Sequence, residues 1–507
     1  MAAIDELMKG KLARLALMAS LAAVAPVAVG AQDSDGEVVT QQYDDGGVYE
    51  GTFRDGLQHG HGTYRLPNGF EYTGDWVEGE ITGEGVARYP NGSVYEGSFV
   101  AGKPHGTGTI TFADGSTYEG EWVEGVMHGT GVQTYADGVR YEGDFVDGQP
   151  HGQGVLERPG GYRYEGDWVE GEKHGSATIT YEDGAVYEGS MEAGERSGEG
   201  TLTRPDGLTY EGGWEAGRIH GTGRLVQPEG DVYEGSFENG QRSGEGRVEY
   251  ADGAVYEGMF ANDARHGQGT FTSDDGFEYV GEWVDGRIEG EGRATYPDGS
   301  VYEGMFRDGL ADGRGAITYP DGSTYEGDWR DGVIEGEGIA RYESGLVYEG
   351  EFVDARAHGQ GRMTYPDGTT YEGDWRAGER HGTGIATFPD GTVYEGDFVD
   401  GARHGEGTIQ MPDGFSYSGE WRDGEIHGEG VATYSSGDVY EGSFEDGRRH
   451  GFGTLRYASG EEQSGIWEGG ALVDPDGDAA RDETPQETPE TPEADDPEAN
   501  DPEAATD

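Results

Sequence analysis

Residues 371–393 read YEGDWRAGERHGTGIATFPDGTV, and most of the chain repeats this stretch. With Tyr371 as offset 0, the same tyrosine recurs at Tyr49, Tyr72, Tyr95 and every 23 residues to Tyr440. That makes eighteen copies with no insertion or deletion between them, followed by a degenerate nineteenth with Gln463 at offset 0. A fixed period of this length marks an array of supersecondary units, each too small to bury its apolar face alone.

The constant residues of one copy predict its backbone. Offset 20 is Gly throughout, commonly in the run Pro-Asp-Gly, as at Pro389-Asp390-Gly391. That run suits a type I turn closed by a left-handed Gly, the three-residue hairpin loop with a bulge. In that register offset 15 faces the next tyrosine, and offset 13 faces the next offset-2 Gly. Offsets 0, 4, 15 and 17, the large apolar positions, then share one face, and offsets 1, 3, 14 and 16 form a wet face. A second reversal is placed at Gly-x-x-His-Gly, offsets 7 to 11. The fold expected is all-β: an elongated single twisted antiparallel sheet of stacked β-hairpins, with no helical domain apart from a signal peptide. A parallel β-helix, the main rival, needs interior ladders of Val, Ile and Leu, and only ten Leu follow the leader.

The pattern YEGxFxxGxxHGxG with a following Asp-Gly turn resembles the MORN repeat (membrane occupation and recognition nexus), in an exported bacterial form. The resemblance covers roughly residues 43–470. It implies a sheet of stacked hairpins, and it implies roles as scaffold, dimerisation device or proposed phospholipid binder. Some members carry the repeats beside kinase or methyltransferase domains, and no segment here is large enough to be one. The departures are Met191 at offset 4, Asp263 and Ala355 at offset 7, and Ala177 at offset 13. They bear on local turns rather than on the fold.

Outside the array, residues 1–31 read as a secretory signal: Lys9, Lys11 and Arg14, an apolar run from Leu15 to Val29, and small residues before a cut ahead of Gln32. Residues 32–48 are a spacer with a capping strand, in which Tyr43 falls at offset 17 of an incomplete copy. Residues 49–462 hold the eighteen repeats, and 463–473 a degenerate capping repeat. Residues 474–507 hold fourteen Asp or Glu and one Arg among Pro and Thr, a composition that predicts a disordered tail. The expected location is outside the cytoplasm, in the periplasm or secreted from a Gram-negative envelope. With no Cys, the leader carries no lipid anchor of that type.

The net charge of −68 argues against nucleic acid, whose phosphates call for Lys and Arg. It argues equally against anionic membrane binding, while diffuse cation association with the Glu and Asp ladders is expected. Twelve of the thirteen His lie at offset 10, one per hairpin. Such positions are roughly 10 Å apart, too far to share a metal, so the reading is a loop side chain bonding nearby backbone. No nucleophile–base pair, phosphate loop or cofactor motif is present, and the chain reads as non-catalytic.

The candidate binding surface is the aromatic face. In the C-terminal block it comprises Tyr279, Trp283, Tyr302, Phe306, Tyr325, Trp329, Tyr348, Phe352, Tyr371, Trp375, Tyr394, Phe398, Tyr417 and Trp421. A single-layer sheet is expected to leave this face partly covered, although the rings could equally be the sheet's own core. Trp and Phe alternate at offset 4, without a break from Trp283 to Trp467, and there Ala alternates with Ile, Met or Leu at offset 15 of the same copy; the first half follows more loosely, with Gln133, Ile179 and Leu225 in Trp copies. This reads as volume matching within a 46-residue pair of hairpins. The alternation slips once, at Phe237 and Phe260, where a bend is expected. The expected partner is a protein, with a second copy of the chain as one candidate; phospholipid and cell-wall glycan are the alternatives.

Overall fold

The structure is a computed structural model, and it describes residues 36–473. The expectations for the leader and the tail lie outside those residues. The described residues form 39 strands and no helix, numbered β1 to β39 in chain order. The chain divides into two units, residues 1–251 with 260–263, and residues 252–259 with 264–507. An even array divides near its middle on length alone, so no bend is read from this boundary.

In each unit the strands pair antiparallel with their neighbours in sequence. Copy 15 shows the pattern in the second unit. β30 (Thr370–Arg376) runs into β31 (Glu379–Thr387), which pairs with β32 (Val393–Val399). Ala386 stands opposite Tyr394 and Gly384 opposite Gly396, the register expected from the turn. The turn itself is the one predicted. Phe388 N–H donates to Thr392 O (2.8 Å) and Gly391 N–H to Phe388 O (2.9 Å). Gly391 is left-handed at φ 93°, and the Asp390 carboxylate accepts the Thr392 N–H at 2.8 Å.

The second reversal is not where the sequence placed it. It is a two-residue turn at offsets 6 and 7, with both residues left-handed, as at Ala377 (φ 55°) and Gly378 (φ 96°). Left-handed φ at both central residues defines the type I′ turn, whose twist matches that of the flanking strands. Asn262–Asp263 and Asp354–Ala355 keep the same geometry without glycine, at φ 50° and 68°, and 50° and 59°. Offsets 8 to 16 are then one strand, so His at offset 10 lies in a strand and not in a loop.

Gly at offset 11 serves a bulge. Gly373 pairs with Gly384 and Trp375 with Arg380, so Asp374 alone opposes His381, Gly382 and Thr383. The Thr383 N–H that the bulge releases from the ladder donates to the Asp374 carboxylate at 2.8 Å. The same bond recurs from Glu84 to Asp75, Gln153 to Asp144 and Glu406 to Asp397. It gives the offset-3 acid a structural task, since a backbone N–H without a partner is costly.

Candidate functional site: the aromatic ladder and the acidic outer face

The fourteen aromatic residues proposed as a surface are buried. None exceeds the 9% exposure of Trp329, and Tyr279, Tyr394 and Tyr417 are at 0%. The expectation of a partly covered face is corrected: these rings form the interior of the array and do not present themselves to a partner. The cause is packing along the chain. Tyr371 meets Trp375 of its own copy at 5.1 Å and Phe398 of the next at 5.0 Å, both edge to face. Tyr394 continues to Phe398 at 5.1 Å and Trp421 at 5.2 Å. Edge-to-face pairs at such distances are favoured by the ring quadrupoles.

Glycine makes room for the ladder. A Cβ added at Gly373 or Gly384 would collide with the Tyr371 ring or its hydroxyl. The Tyr371 hydroxyl donates to Asp374 O at 2.9 Å. Every Trp ties its hairpin to the one before it, as Trp375 Nε1 does by donating to Gly361 O at 3.1 Å. Burial pushes the tyrosine hydroxyls up, those of Tyr279 and Tyr302 to about 12.

Offset 9 completes this interior, and the sequence reading missed it. With the turn at offsets 6 and 7, offset 9 stands opposite offset 4, as Ile426 does opposite Trp421. Where it is Arg, the guanidinium covers the next copy's ring: Arg265 lies 4.0 Å from the Trp283 ring and Arg449 4.2 Å from that of Trp467. Such stacking, with Arg449 Nη2 donating to Gly470 O at 2.8 Å, joins neighbouring copies. The signal in the sequence was that offset 9 is Ile in five Trp copies (Ile81, Ile219, Ile288, Ile334 and Ile426) and in no Phe copy.

Volume matching therefore runs between copies. The contacts Phe271–Trp283 and Tyr64–Trp76, at 6.3 and 6.1 Å, bring offset 15 against the offset-4 ring of the following copy. Trp329 follows Ala311 and Ile317 at offsets 9 and 15, whereas Phe352 follows Ile334 and Ala340. The pairing within one copy is thus corrected to a three-position match across the junction.

Five of the offset-10 side chains share one task. Nδ1 of His105 and of His151 accepts the N–H of Glu124 and of Glu170, each at 3.5 Å. Where His is replaced, Glu289, Asp312 and Glu335 accept from Asp308, Asp331 and Asp354 in the same way. Each bond joins one copy to the type I′ turn of the next. Among the described residues no group of three or more His, Asp or Glu is gathered as for a metal ion.

What the array does expose is its outer face. In the first unit Val77, Val100, Val123, Val146 and Val169, one per hairpin at offset 5, are 39–51% exposed, and Val126 beside Val123 is 40% exposed. Acids border this strip, with Asp75, Glu121, Asp144 and Asp167 at offset 3 and Glu78, Glu124, Asp147 and Glu170 at offset 6. The strip was not anticipated. Offset 5 follows offset 4, so it faces outward, and the Val run in the sequence was its only signal.

These features define an open antiparallel array of repeated β-hairpins with a sealed aromatic interior. The MORN repeat model matches the chain in eighteen segments, from residues 49–70 to 440–462, and the chain belongs to that family. Alsin of rat is 48% identical over 50 residues, and human Alsin 44%, over 9% of this chain in each case. The chain spans only about 3% of the length of these relatives. Among solved structures, the TCP10 domain of Danio rerio CPAP bound to a STIL peptide is 15% identical, covering 53% of this chain and 93% of that one, with a TM-score of 0.13. Streptogramin B lyase is 15% identical over 58% of this chain and 90% of its own, with a TM-score of 0.11. Scores this low carry no structural argument.

Proposed function

We propose that the chain is an exported, non-catalytic scaffold that holds a protein partner along its acidic outer face. The family's repeats act generally as binding and scaffolding modules, and the valine strip is the observation that carries this reading. Five exposed valines on successive hairpins recur at roughly 10 Å intervals, two strand spacings. Across the strands they stand opposite Glu80, Lys103, Val126, Gln149 and Glu172, and a row of exposed apolar side chains rimmed by polar ones is the pattern of an interaction site. The bordering carboxylates favour a partner with apolar residues at a matching interval and basic residues beside them. The test is the triple substitution Val100→Asp, Val123→Asp and Val146→Asp. Glu192 and Glu215 occupy the same offset in later copies, so acids are compatible with the fold there. Capture of native envelope proteins should be lost in the triple variant and kept when Val284, Val353 and Val399 are changed instead. Equal capture by both variants would contradict the assignment.

The leader supports export, and a native N-terminus at Gln32 is the expected product; a retained Leu15–Val29 segment would contradict it. Anionic phospholipid vesicles should not carry the mature chain upward in flotation at low salt without divalent cations, since like charges face each other. A glycan reading has one observation in its favour. Tyr296, Tyr319, Tyr342, Tyr365 and Phe388, at offset 17 in the second unit, remain partly exposed while the rest of the aromatic face is closed. Under that reading affinity for oligosaccharides rises smoothly with their length.

A further inference from the structure

The two ends of the array are complementary parts of one copy. At the N-terminal end β1 (Val39–Gln42) supplies offsets 13 to 16 and pairs with β2 (Val48–Arg54), Gln41 opposite Tyr49. At the C-terminal end β38 (Glu462–Glu468) and β39 (Ala471–Val473) supply offsets −1 to 10 of the last copy. In a complete copy, offsets −1 to 2 pair with offsets 16 to 13, as Thr370 to Gly373 do with Thr387 to Gly384. Among the described residues nothing pairs with Glu462–Gly465 on that edge, because β39 meets only Ile466–Glu468.

We propose that β1 of one chain pairs with β38 of a second copy, rebuilding one complete hairpin at a head-to-tail joint. The register follows from the complete copies: Gln42 against Glu462, Gln41 against Gln463, Thr40 against Ser464 and Val39 against Gly465. An unpaired strand edge is a template for such addition.

The side chains at the two ends agree with this joint. In seventeen of the eighteen complete copies offset 13 is Gly beneath the offset-0 tyrosine ring, where an added Cβ would collide with it, and the one exception, Ala177 beneath Tyr164, adds a single methyl. At the joint Val39 replaces that Gly, and Gln463 replaces the tyrosine that would collide with it. Gln41 falls at offset 15, where Gln133 of a complete copy is buried. The outer face offers a second match. Phe452, at offset 12, stands opposite Ile466, at offset 3, and the other seventeen complete copies carry a polar residue at offset 12. Phe452 and Ile466 are 64% and 44% exposed, and Val38 at the far end is 65% exposed. Val38 is itself offset 12 of the N-terminal half copy. Within one copy offset 3 reaches offset 12, as Asp374 reaches Thr383, so the joint brings Val38 onto Ile466 beside Phe452. The chain's own continuation lacks the pattern: Pro475 falls at offset 12 without an N–H, and Asp478 at offset 15, where no complete copy has a charge.

Because two different surfaces meet, the contact is heterologous and repeats from copy to copy, as an open filament or a closed ring. It is independent of the valine strip. The chain has no Cys, so the test uses Gln41→Cys and Gln463→Cys as separate full-length variants, one carrying a mass tag, mixed under mild oxidation. The mixed cross-link should exceed either homotypic one at least tenfold. The Val38→Asp, Ile466→Asp double variant should lower association in sedimentation at least tenfold with an unchanged circular dichroism spectrum. The triple strip variant should still cross-link. Homotypic products equal to the mixed one, association that ignores the Val38 and Ile466 changes, or a monomer at all concentrations would overturn the proposal.

Discussion

Replacing Trp375 with Phe tests how neighbouring hairpins hold one another. Phe occupies this offset in the flanking copies, at Phe352 and Phe398, so the substitution keeps an aromatic ring in the ladder. It removes the Nε1–H that Gly361 O accepts at 3.1 Å, a loss of roughly 1–1.5 kcal/mol. It also leaves unfilled volume beside Tyr348 and Tyr371, whose rings lie 5.3 and 5.1 Å from that of Trp375. A core truncation of this kind costs about 1–1.5 kcal/mol more. The sum of about 2–3 kcal/mol corresponds to roughly 30- to 150-fold faster exchange of the affected amides. Repeat arrays are governed by nearest-neighbour terms, so the effect should be confined to β28 (Val347–Val353), β29 (Arg356–Thr364), β30 and β31. Amide hydrogen exchange read by mass spectrometry resolves it. Unchanged exchange in those strands, or an equal rise throughout both units, would refute the reasoning. The first outcome would mean that the indole does not join the copies, and the second that the array opens as a whole.

Ala355→Gly should stabilise its turn by about 0.5–1 kcal/mol, because an L side chain at φ 59° is strained and glycine is not; slower amide exchange around residues 347–364 checks it. Alkaline unfolding should begin near pH 10 and deepen to pH 12. The unfolded tyrosines lose their protons from about pH 10, whereas burial holds those of Tyr279, Tyr302 and Tyr210 up to about 12, so stability present below pH 10 is lost as pH rises through that window. Tyrosinate absorbance should therefore appear together with loss of the β signal in circular dichroism. Added salt or divalent cations should raise the thermal midpoint by screening the acidic ladders behind the net charge of −68; an equal or lower midpoint at high ionic strength would show that the ladders do not matter.

The parts of the fold legible in the sequence were those with local chemistry. Pro389-Asp390-Gly391 fixed one turn and, through parity, the register of Ala386 against Tyr394. The second turn was harder, because Gly378 and Gly382 look alike in sequence. One closes a type I′ turn and the other relieves a bulge, and only hydrogen bonding tells them apart. Misplacing that turn hid offset 9, and with it Arg265, Arg449 and the junction between copies that they cover. Without those cover residues, Trp375 and Trp421 could be read as either surface or core. The outer strip from Val77 to Val169 was equally hidden, since outward-facing valines in one copy mean nothing until successive copies align them.

Central to this account is that the aromatic ladder is interior and not a docking face. All nine Trp occupy offset 4, and each donates its indole N–H to the preceding hairpin. Bulk tryptophan fluorescence therefore reports a single environment. Acrylamide quenching of the native chain should be several-fold weaker than that of the urea-unfolded chain, with blue-shifted emission that is unchanged when a partner binds. Quenching as strong as in the unfolded chain, or protection appearing only with a bound partner, would contradict it.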